Sequence, residues 1–237
     1  MSFEKTIFIP IKEDSQRVRG KNFRNFGGQE LWKHTVDKYV KQRIIDYNIY
    51  IDTDSDKIIE ECENMSGVIA YKRVDNLCGH TVSVCDLIIN CINKFDIKGP
   101  MAQIHVTTPF VEEYHVHNAI EYISEDDYGK ASRYDSNFSC NSVKSRFWRT
   151  DNHRLFPVNH NPMDLLQTQD LPEFLEENSC FYSFHAEDIL RTGCRIGKRP
   201  RADRLEWPYN LDIDTEDDWK ICETTREIIE RNKNEED

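Results

Sequence analysis

Two groups of side chains in this chain have the types and spacing for phosphate chemistry. The first is IPIKEDSQRVRGKNFRNFGG, residues 9–28, where Lys12, Arg17, Arg19, Lys21 and Arg24 stand against only Glu13 and Asp14. Gly20 permits a tight backbone in this run, and Ser15 offers a hydroxyl and an amide to an anion. The run contains neither GxxxxGK[ST] nor GxGxxG, so it is not a Walker loop or a dinucleotide-binding turn. Such a run is either a solvated basic loop or a phosphate-binding one, and its place at a strand end with Gly-Lys-Asn behind it favours a triphosphate. The second group is Asp212-Ile213-Asp214. At a strand end, residues two apart project to one side, so both carboxylates point together while Ile213 points away. Mg²⁺ takes one or two carboxylates plus phosphate oxygens and water, so this pair either supplies the protein's share or extends the acidic N-terminus of the following helix. Glu216, Asp217 and Asp218 read instead as the acidic first turn of a helix, where they favour its dipole.

Both groups depend on elements that the hydrophobic periodicity supplies. Residues 5–10, 47–52, 67–72 and 101–106 are short apolar runs with the character of buried strands. Between and after them lie helical stripes: Trp32, Val36, Tyr39 and Val40; Val84, Leu87, Ile88, Cys91 and Ile92; Val116, Ala119, Ile120 and Ile123. This alternation predicts an α/β protein with right-handed βαβ units and a largely parallel sheet covered on both faces. Ligands of such sheets bind beyond the carboxyl ends of the strands. After about residue 127 the pattern loosens, with strands expected at 137–143, 179–184 and 204–207. The stretch FPVNHNPMDLLQTQDLPEF reads as a long excursion, of the kind that serves function or covers a partner. A last helix is expected from Thr215, with Thr215 and Asp218 forming a capping box and Trp219, Cys222 and Ile229 a buried stripe. No repeat or linker divides the chain, so 1–237 reads as one domain, with about 150–175 as an excursion within it.

Composition bounds the rest. The chain has 237 residues, 31 Lys and Arg against 43 Asp and Glu, and a formal net charge of −12. A chain of this length can bury roughly three quarters of the surface that its unfolded form exposes. No apolar run approaches the roughly 18 residues of a membrane span. The start, MSFEKTIFIP, lacks the basic-then-apolar layout of a signal peptide. The acidic balance argues against non-specific nucleic-acid binding, which relies on neutralising many phosphates. The expectation is a cytoplasmic protein with neither nucleic acid nor membrane as partner. Eight cysteines contain no CxxC pair, so they read as reduced, buried thiols rather than as a zinc site or disulfide framework.

With these residues in hand, the chain resembles the cytidylyltransferases that make CMP-activated acidic sugars. Acylneuraminate cytidylyltransferase is the nearest type, and the 3-deoxy-octulosonate enzymes are relatives. The first strand with Ser15 and Lys21-Asn22 resembles their amino-terminal signature. Arg73-Val-Asp-Asn-Leu77 with Ser83 is similar to R-P-x-E-L-x-x-x-x-x-S, and His105-Val-Thr-Thr-Pro109 to Q-P-T-S-P. Gln167-Thr-Gln-Asp-Leu-Pro172, Arg195-Ile-Gly197 and Asp212-Ile-Asp214-Thr-Glu-Asp resemble R-T-Q-D-L-P, R-I-G and D-I-D-T-E-x-D. The ordered set runs from about residue 5 to about residue 225.

The resemblance implies a Rossmann-like nucleotide-diphospho-sugar transferase fold and a homodimer in which residues 150–175 reach towards the partner's cleft. It implies attack by an acidic sugar's anomeric hydroxyl on the α-phosphorus of CTP, a displacement that needs charge neutralisation and positioning. Lys21 would bind the triphosphate, with Lys12, Ser15 and Gln16 lining the same loop and Asn22 helping to hold the nucleotide. Arg73, Ser83 and His105 would lie around base and ribose. Asp212 and Asp214 would hold Mg²⁺, and one of them would help deprotonate the hydroxyl. Lys144, Gln167 and Gln169 would bind the sugar. Four positions depart from the family pattern: Lys12 and Gln167 replace Arg, Gln16 replaces Lys and His105 replaces Gln. In the sialic-acid enzymes the Arg at position 167 helps clamp the sugar carboxylate, and Lys144, Arg146 and Arg149 are the expected substitutes, facing the same cleft. Two other readings stay open. Asp212-Ile213-Asp214 is also the DxD of a metal-dependent glycosyltransferase, and the four departures fit a non-catalytic nucleotide-binding module.

Overall fold

The computed structural model describes residues 5–15, 17–41, 47–79, 81–124 and 131–236. In chain order its strands are β1 (Thr6–Ile11), β2 (Asn25–Phe26), β3 (Gln29–Glu30), β4 (Asn48–Thr53), β5 (Val68–Lys72) and β6 (Pro100–Ile104), then β7 (Ser136–Val143), β8 (Trp148–Asp151), β9 (Arg154–Pro157), β10 (Phe174–His185) and β11 (Pro200–Arg204). The helices are α1 (Leu31–Lys41), α2 (Asp56–Cys62), α3 (Val84–Phe95), α4 (Glu113–Glu121), α5 (Ala186–Thr192) and α6 (Glu216–Glu236). Seven strands form one sheet in the order β11-β7-β10-β6-β1-β4-β5. β10 alone runs antiparallel to its neighbours β6 and β7.

The apolar runs form central strands because both of their faces are covered. Ile7, Ile9 and Ile11 of β1 pack on one side with Trp32, Val36 and Tyr39 of α1 and with Val116, Ala119 and Ile120 of α4. Phe8 points the other way, into a cluster with Leu87, Ile88, Cys91 and Ile92 of α3 and Ile189 of α5. Each such side chain contributes roughly 1.5–3 kcal/mol by leaving water. From β1 the chain steps to β4 and β5 on one side, and then returns over α3 to β6 on the other side of β1. That reversal opens a crevice at the carboxyl ends of β1 and β6, where an open α/β sheet receives its ligand.

The later part of the chain departs further from the expectation. The last strand is β11, Pro200–Arg204, and not 204–207. Its charges concealed it, since Arg201 pairs with Asp203 at 2.9 Å and Arg204 with Glu173 at 2.7 Å. Such charges suit β11 because it is an edge strand. β10 begins five residues before the expected 179. The excursion opens with a β8–β9 hairpin whose turn residues Asn152 and His153 both have positive φ, 45° and 64°, as a tight two-residue hairpin loop demands. At α6, Thr215 N donates to Asp218 Oδ2 at 2.7 Å and Asp218 N to Thr215 Oγ1 at 3.2 Å, so the capping box is formed. Among the described residues, no helix is long and apolar enough to cross a membrane.

Candidate active site

A cleft of about 760 Å³ opens where the topology places it, lined by Lys12, Ser15, Lys21, Asn22, Arg73, His105, Asp212 and Asp214 among others. The loop after β1 is held in three ways. Val18 is fully buried with Phe26, Leu31, Ile213 and Trp219, which fixes the loop against the start of α6. Gly20 turns the chain at φ 62°, a left-handed conformation that costs glycine little, and Phe23 N donates to its carbonyl at 3.0 Å. Buried Asn22 then donates from Nδ2 to Lys12 O at 2.7 Å and ties the two ends of the loop together. The result aims the Lys21 ammonium inward. It donates to Ile213 O at 2.6 Å and lies 3.7 Å from Asp214 Oδ1. Burial lowers its pKa, against the pull of Asp212 and Asp214. Arg17 donates to Asp214 Oδ2 at 2.7 Å.

Asp212 and Asp214 do not end a strand. They sit in an extended segment before α6, where Ile213 N donates to Thr107 O at 2.9 Å and the Ile213 side chain is fully buried. The alternation is nevertheless the expected one, since burying Ile213 turns both carboxylates to the cleft. They differ in environment. Asp214 is 42% exposed, whereas burial, reinforced by the neighbouring Asp214, raises the pKa of Asp212 despite a hydrogen bond from Thr107. Asp212 Oδ1 is buried and has no hydrogen-bond partner. A vacant carboxylate oxygen beside a more open carboxylate is a donor set of the kind that Mg²⁺ takes when phosphates and water complete its shell. Among the described residues, no three or more His, Cys, Asp or Glu side chains converge on a self-sufficient metal cage.

The remaining predicted residues divide. Lys12 Nζ donates to Gly79 O at 3.2 Å, and Ser15 lines the cleft. Arg73 is buried in an ion pair with Asp52, also donates to Asp52 O at 3.1 Å, and keeps Nη1 without a partner at the cleft wall. His105 follows β6 half-buried; desolvation, with the charges of Arg195 and Lys21 adding to it, holds its pKa down at about 4. Ser83 is not on the wall. Its hydroxyl accepts from Cys85 N at 3.2 Å and caps α3, while Val82 and Val84 line the cleft. Gln16 lies outside the described residues. Lys144, Gln167 and Gln169 do not reach this chain's own cleft. Lys144 Nζ donates to Gln169 O at 3.0 Å, Gln169 Nε2 to Gln167 Oε1 at 2.7 Å, and Arg146 to Leu166 O. Arg149 lies over Phe156 in the hairpin. The expectation that this basic group faces the same cleft is therefore corrected: its polar atoms brace the excursion.

The opposite wall was not read from sequence. β10 shifts register between Glu177 and Tyr182, and Ser179 takes φ 61°, so Glu177, Asn178 and Ser179 turn into the cleft. Tyr182 donates to Glu177, and its hydroxyl lies 3.0 Å from Ser179 Oγ. Arg195 lies over the Tyr182 ring at 3.4 Å and donates to Gln103 Oε1 at 2.5 Å. Non-glycine positive φ inside a strand has no sequence signature, and an Arg three residues after the end of a short helix announces no destination.

A mainly parallel sheet whose strand order reverses at β1, with cations and paired carboxylates gathered over the reversal, defines an α/β protein with a charged cleft at the switch point. The family model described as Cytidylyltransferase matches residues 6–232, and the chain belongs to that family. It is similar, at 23% identity over 89% of its length, to an N-acylneuraminate cytidylyltransferase of Streptococcus agalactiae serotype III (strain NEM316). The chain spans about half the length of that relative, 50%. It is also 24% identical to a CMP-N,N'-diacetyllegionaminic acid synthase of Legionella pneumophila subsp. pneumophila (strain Philadelphia 1), over 93% of this chain and 95% of the relative. Among solved structures, CMP:2-keto-3-deoxy-manno-octonic acid synthetase complexed with CTP has the same fold, with a TM-score of 0.61 at 13% identity over 93% of this chain and 97% of that one.

Proposed function

We propose that this protein transfers CMP from CTP to the anomeric hydroxyl of an acidic sugar, a 3-deoxy-2-ulosonic acid, and releases pyrophosphate. The observation that carries this reading is the meeting of the β1 loop with Asp212 and Asp214, Arg17 and Lys21 converging on Asp214 at 2.7 and 3.7 Å. The names of the similar proteins supply the acceptor class, since they act on acylneuraminic, legionaminic and octulosonic acids.

In the proposed reaction the sugar oxygen forms a bond to the α-phosphorus, and the bond from that phosphorus to the bridging oxygen of the β-phosphate breaks. Lys21 and Arg17 neutralise charge on the triphosphate, and Lys12 adds to the same side. Asp212 and Asp214 are the residues that would hold Mg²⁺, which supplies charge neutralisation on the phosphate oxygens when bound. One carboxylate of the pair takes the proton of the attacking hydroxyl. Arg17, 70% exposed on its side chain, is free to exchange Asp214 for a phosphate as the nucleotide arrives. Arg73 Nη1 and His105 offer polar contacts to base and ribose.

The test is pyrophosphate release from CTP and Mg²⁺ with a panel of ulosonic acids. Release should depend on the acid, and Asp214→Asn should lower it by about 100-fold or more, because it removes an anionic ligand where charge develops. CTP binding without turnover on any acid would favour a nucleotide-binding module instead. Wild-type rates in Asp214→Asn would remove that residue from the chemistry.

A further inference from the structure

Among the described residues five cations line the cleft: Lys12, Arg17, Lys21, Arg73 and Arg195. Arg17 and Lys21 face Asp214, and Arg73 is paired with Asp52. Lys12, on the β1 loop with the other phosphate-facing groups, donates to a carbonyl. Arg195 differs from all four. It comes from the segment between α5 and β11 and approaches over Gln103 of β6 and Tyr182 of β10. In the sheet order β10-β6-β1, that is the side away from the β1 loop. Among the described residues no carboxylate pairs with it, since its partners are the amide of Gln103 and the face of Tyr182. Glu177, the acid on this wall, is engaged by the Tyr182 hydroxyl. His105 lines the same cleft and feels the charges of both Arg195 and Lys21.

This position is built rather than incidental. Gln103 is fully buried, so the acceptor of the guanidinium proton is fixed. The segment carrying Arg195 is clamped from behind. Gly197 N donates to Ser136 Oγ at 2.9 Å, and the Asp135 carboxylate accepts from Lys198 N at 3.1 Å and Arg199 N at 3.0 Å. A guanidinium held in place, stacked on an aromatic ring and lacking a counter-charge, is prepared for a planar anion that it can grip with two parallel bonds.

We propose that Arg195 binds the carboxylate of the acceptor acid and so selects acids over neutral sugars of the same shape. This rests on the activity proposed above. It also accounts for specificity without Gln167 and Lys144, which do not line this cleft. Lys21 and Arg17 then hold the triphosphate on the β1 side, Arg195 holds the acid on the β10 side, and the hydroxyl is left between them.

The experiment compares a ulosonic acid with its carboxamide, in the wild type, Arg195→Gln, Arg195→Lys and Lys144→Gln, measuring turnover together with CTP affinity by calorimetry. The wild type should prefer the acid. Arg195→Gln should raise KM for the acid by about 100-fold and abolish the preference, while CTP affinity, which also reports folding, stays within a factor of about 2. Arg195→Lys should recover part of the preference, because charge returns without the planar fork. An Arg195→Gln variant that still prefers the acid overturns the proposal. So does loss of the preference in Lys144→Gln with Arg195→Gln unaffected. If the wild type turns over no acid at all, the proposed activity has failed and Arg195 falls with it.

Discussion

Single residues in this cleft carry charges that their surroundings set against them, and this makes His105 measurable. Its ordinary pKa of 6.5 is pushed down to about 4 by desolvation, with Arg195 and Lys21 adding to the effect. Between those values the unfolded chain binds a proton that the folded chain refuses. Stability therefore falls as pH drops from 6.5 towards 4, and His105 adds nothing to the slope above that window. The full effect of such a shift is about 3 kcal/mol, reduced where the open cleft lets solvent screen it. Urea midpoints at a series of pH values should show a shallower decline in His105→Gln than in the wild type. Equal slopes would mean that His105 protonates without penalty. His34 and His115 are also shifted down by burial and act with the same sign, so the difference between the two proteins is the quantity to read.

At the scale of elements, the segment between α5 and β11 shows how one backbone approach controls a side chain two residues away. A Cβ at Gly197 would lie 2.3 Å from Asp135 Oδ1, so Gly197→Ala must push apart the carboxylate that clamps Lys198 and Arg199. We expect this variant to lose about 1–3 kcal/mol of stability and to raise KM for the acid more than KM for CTP. A variant that melts as the wild type does and keeps both constants would show that the clamp does not position Arg195. The sequence made the first four parallel strands and α1, α3 and α4 legible, because buried strands are continuously apolar and amphipathic helices repeat every three to four residues. It also made the capping box and the outward pair Asp212 and Asp214 legible, since both follow from local spacing. It did not reveal that Ser83 caps a helix rather than facing the ligand, because a serine before a helix fits either role. Nor could it place β11, a charged edge strand, or the bulge that turns Glu177 and Ser179 inward. Those depend on contacts between distant segments, and Arg195 came to the cleft by the same route.

On the scale of the whole molecule, the net charge of −12 says little about the cleft, where five cations meet Asp14, Glu177, Asp212 and Asp214. Charge and apolar surface are each concentrated away from the average. The excursion exposes Trp148, Leu155, Phe156, Val158, Met163, Leu165 and Leu166, with Met163 at 92% and Leu165 at 66%. An exposed group of large apolar residues along one excursion marks a contact surface. A second copy of this chain is the occupant we expect, as the family resemblance implies. Each of these side chains gains roughly 1.5–3 kcal/mol if fully covered, so a few suffice to offset the repulsion of two acidic chains. That repulsion is long-ranged and screened by salt, whereas apolar contact is not, so dimerisation should tighten as salt rises from low ionic strength. Sedimentation at micromolar concentration should give twice 28.1 kDa for the wild type. Met163→Asp with Leu165→Asp should give the monomer mass at the same concentration while retaining the wild-type circular dichroism. A wild type that sediments as a monomer at every salt concentration would leave this surface without a second copy, whatever the cleft does.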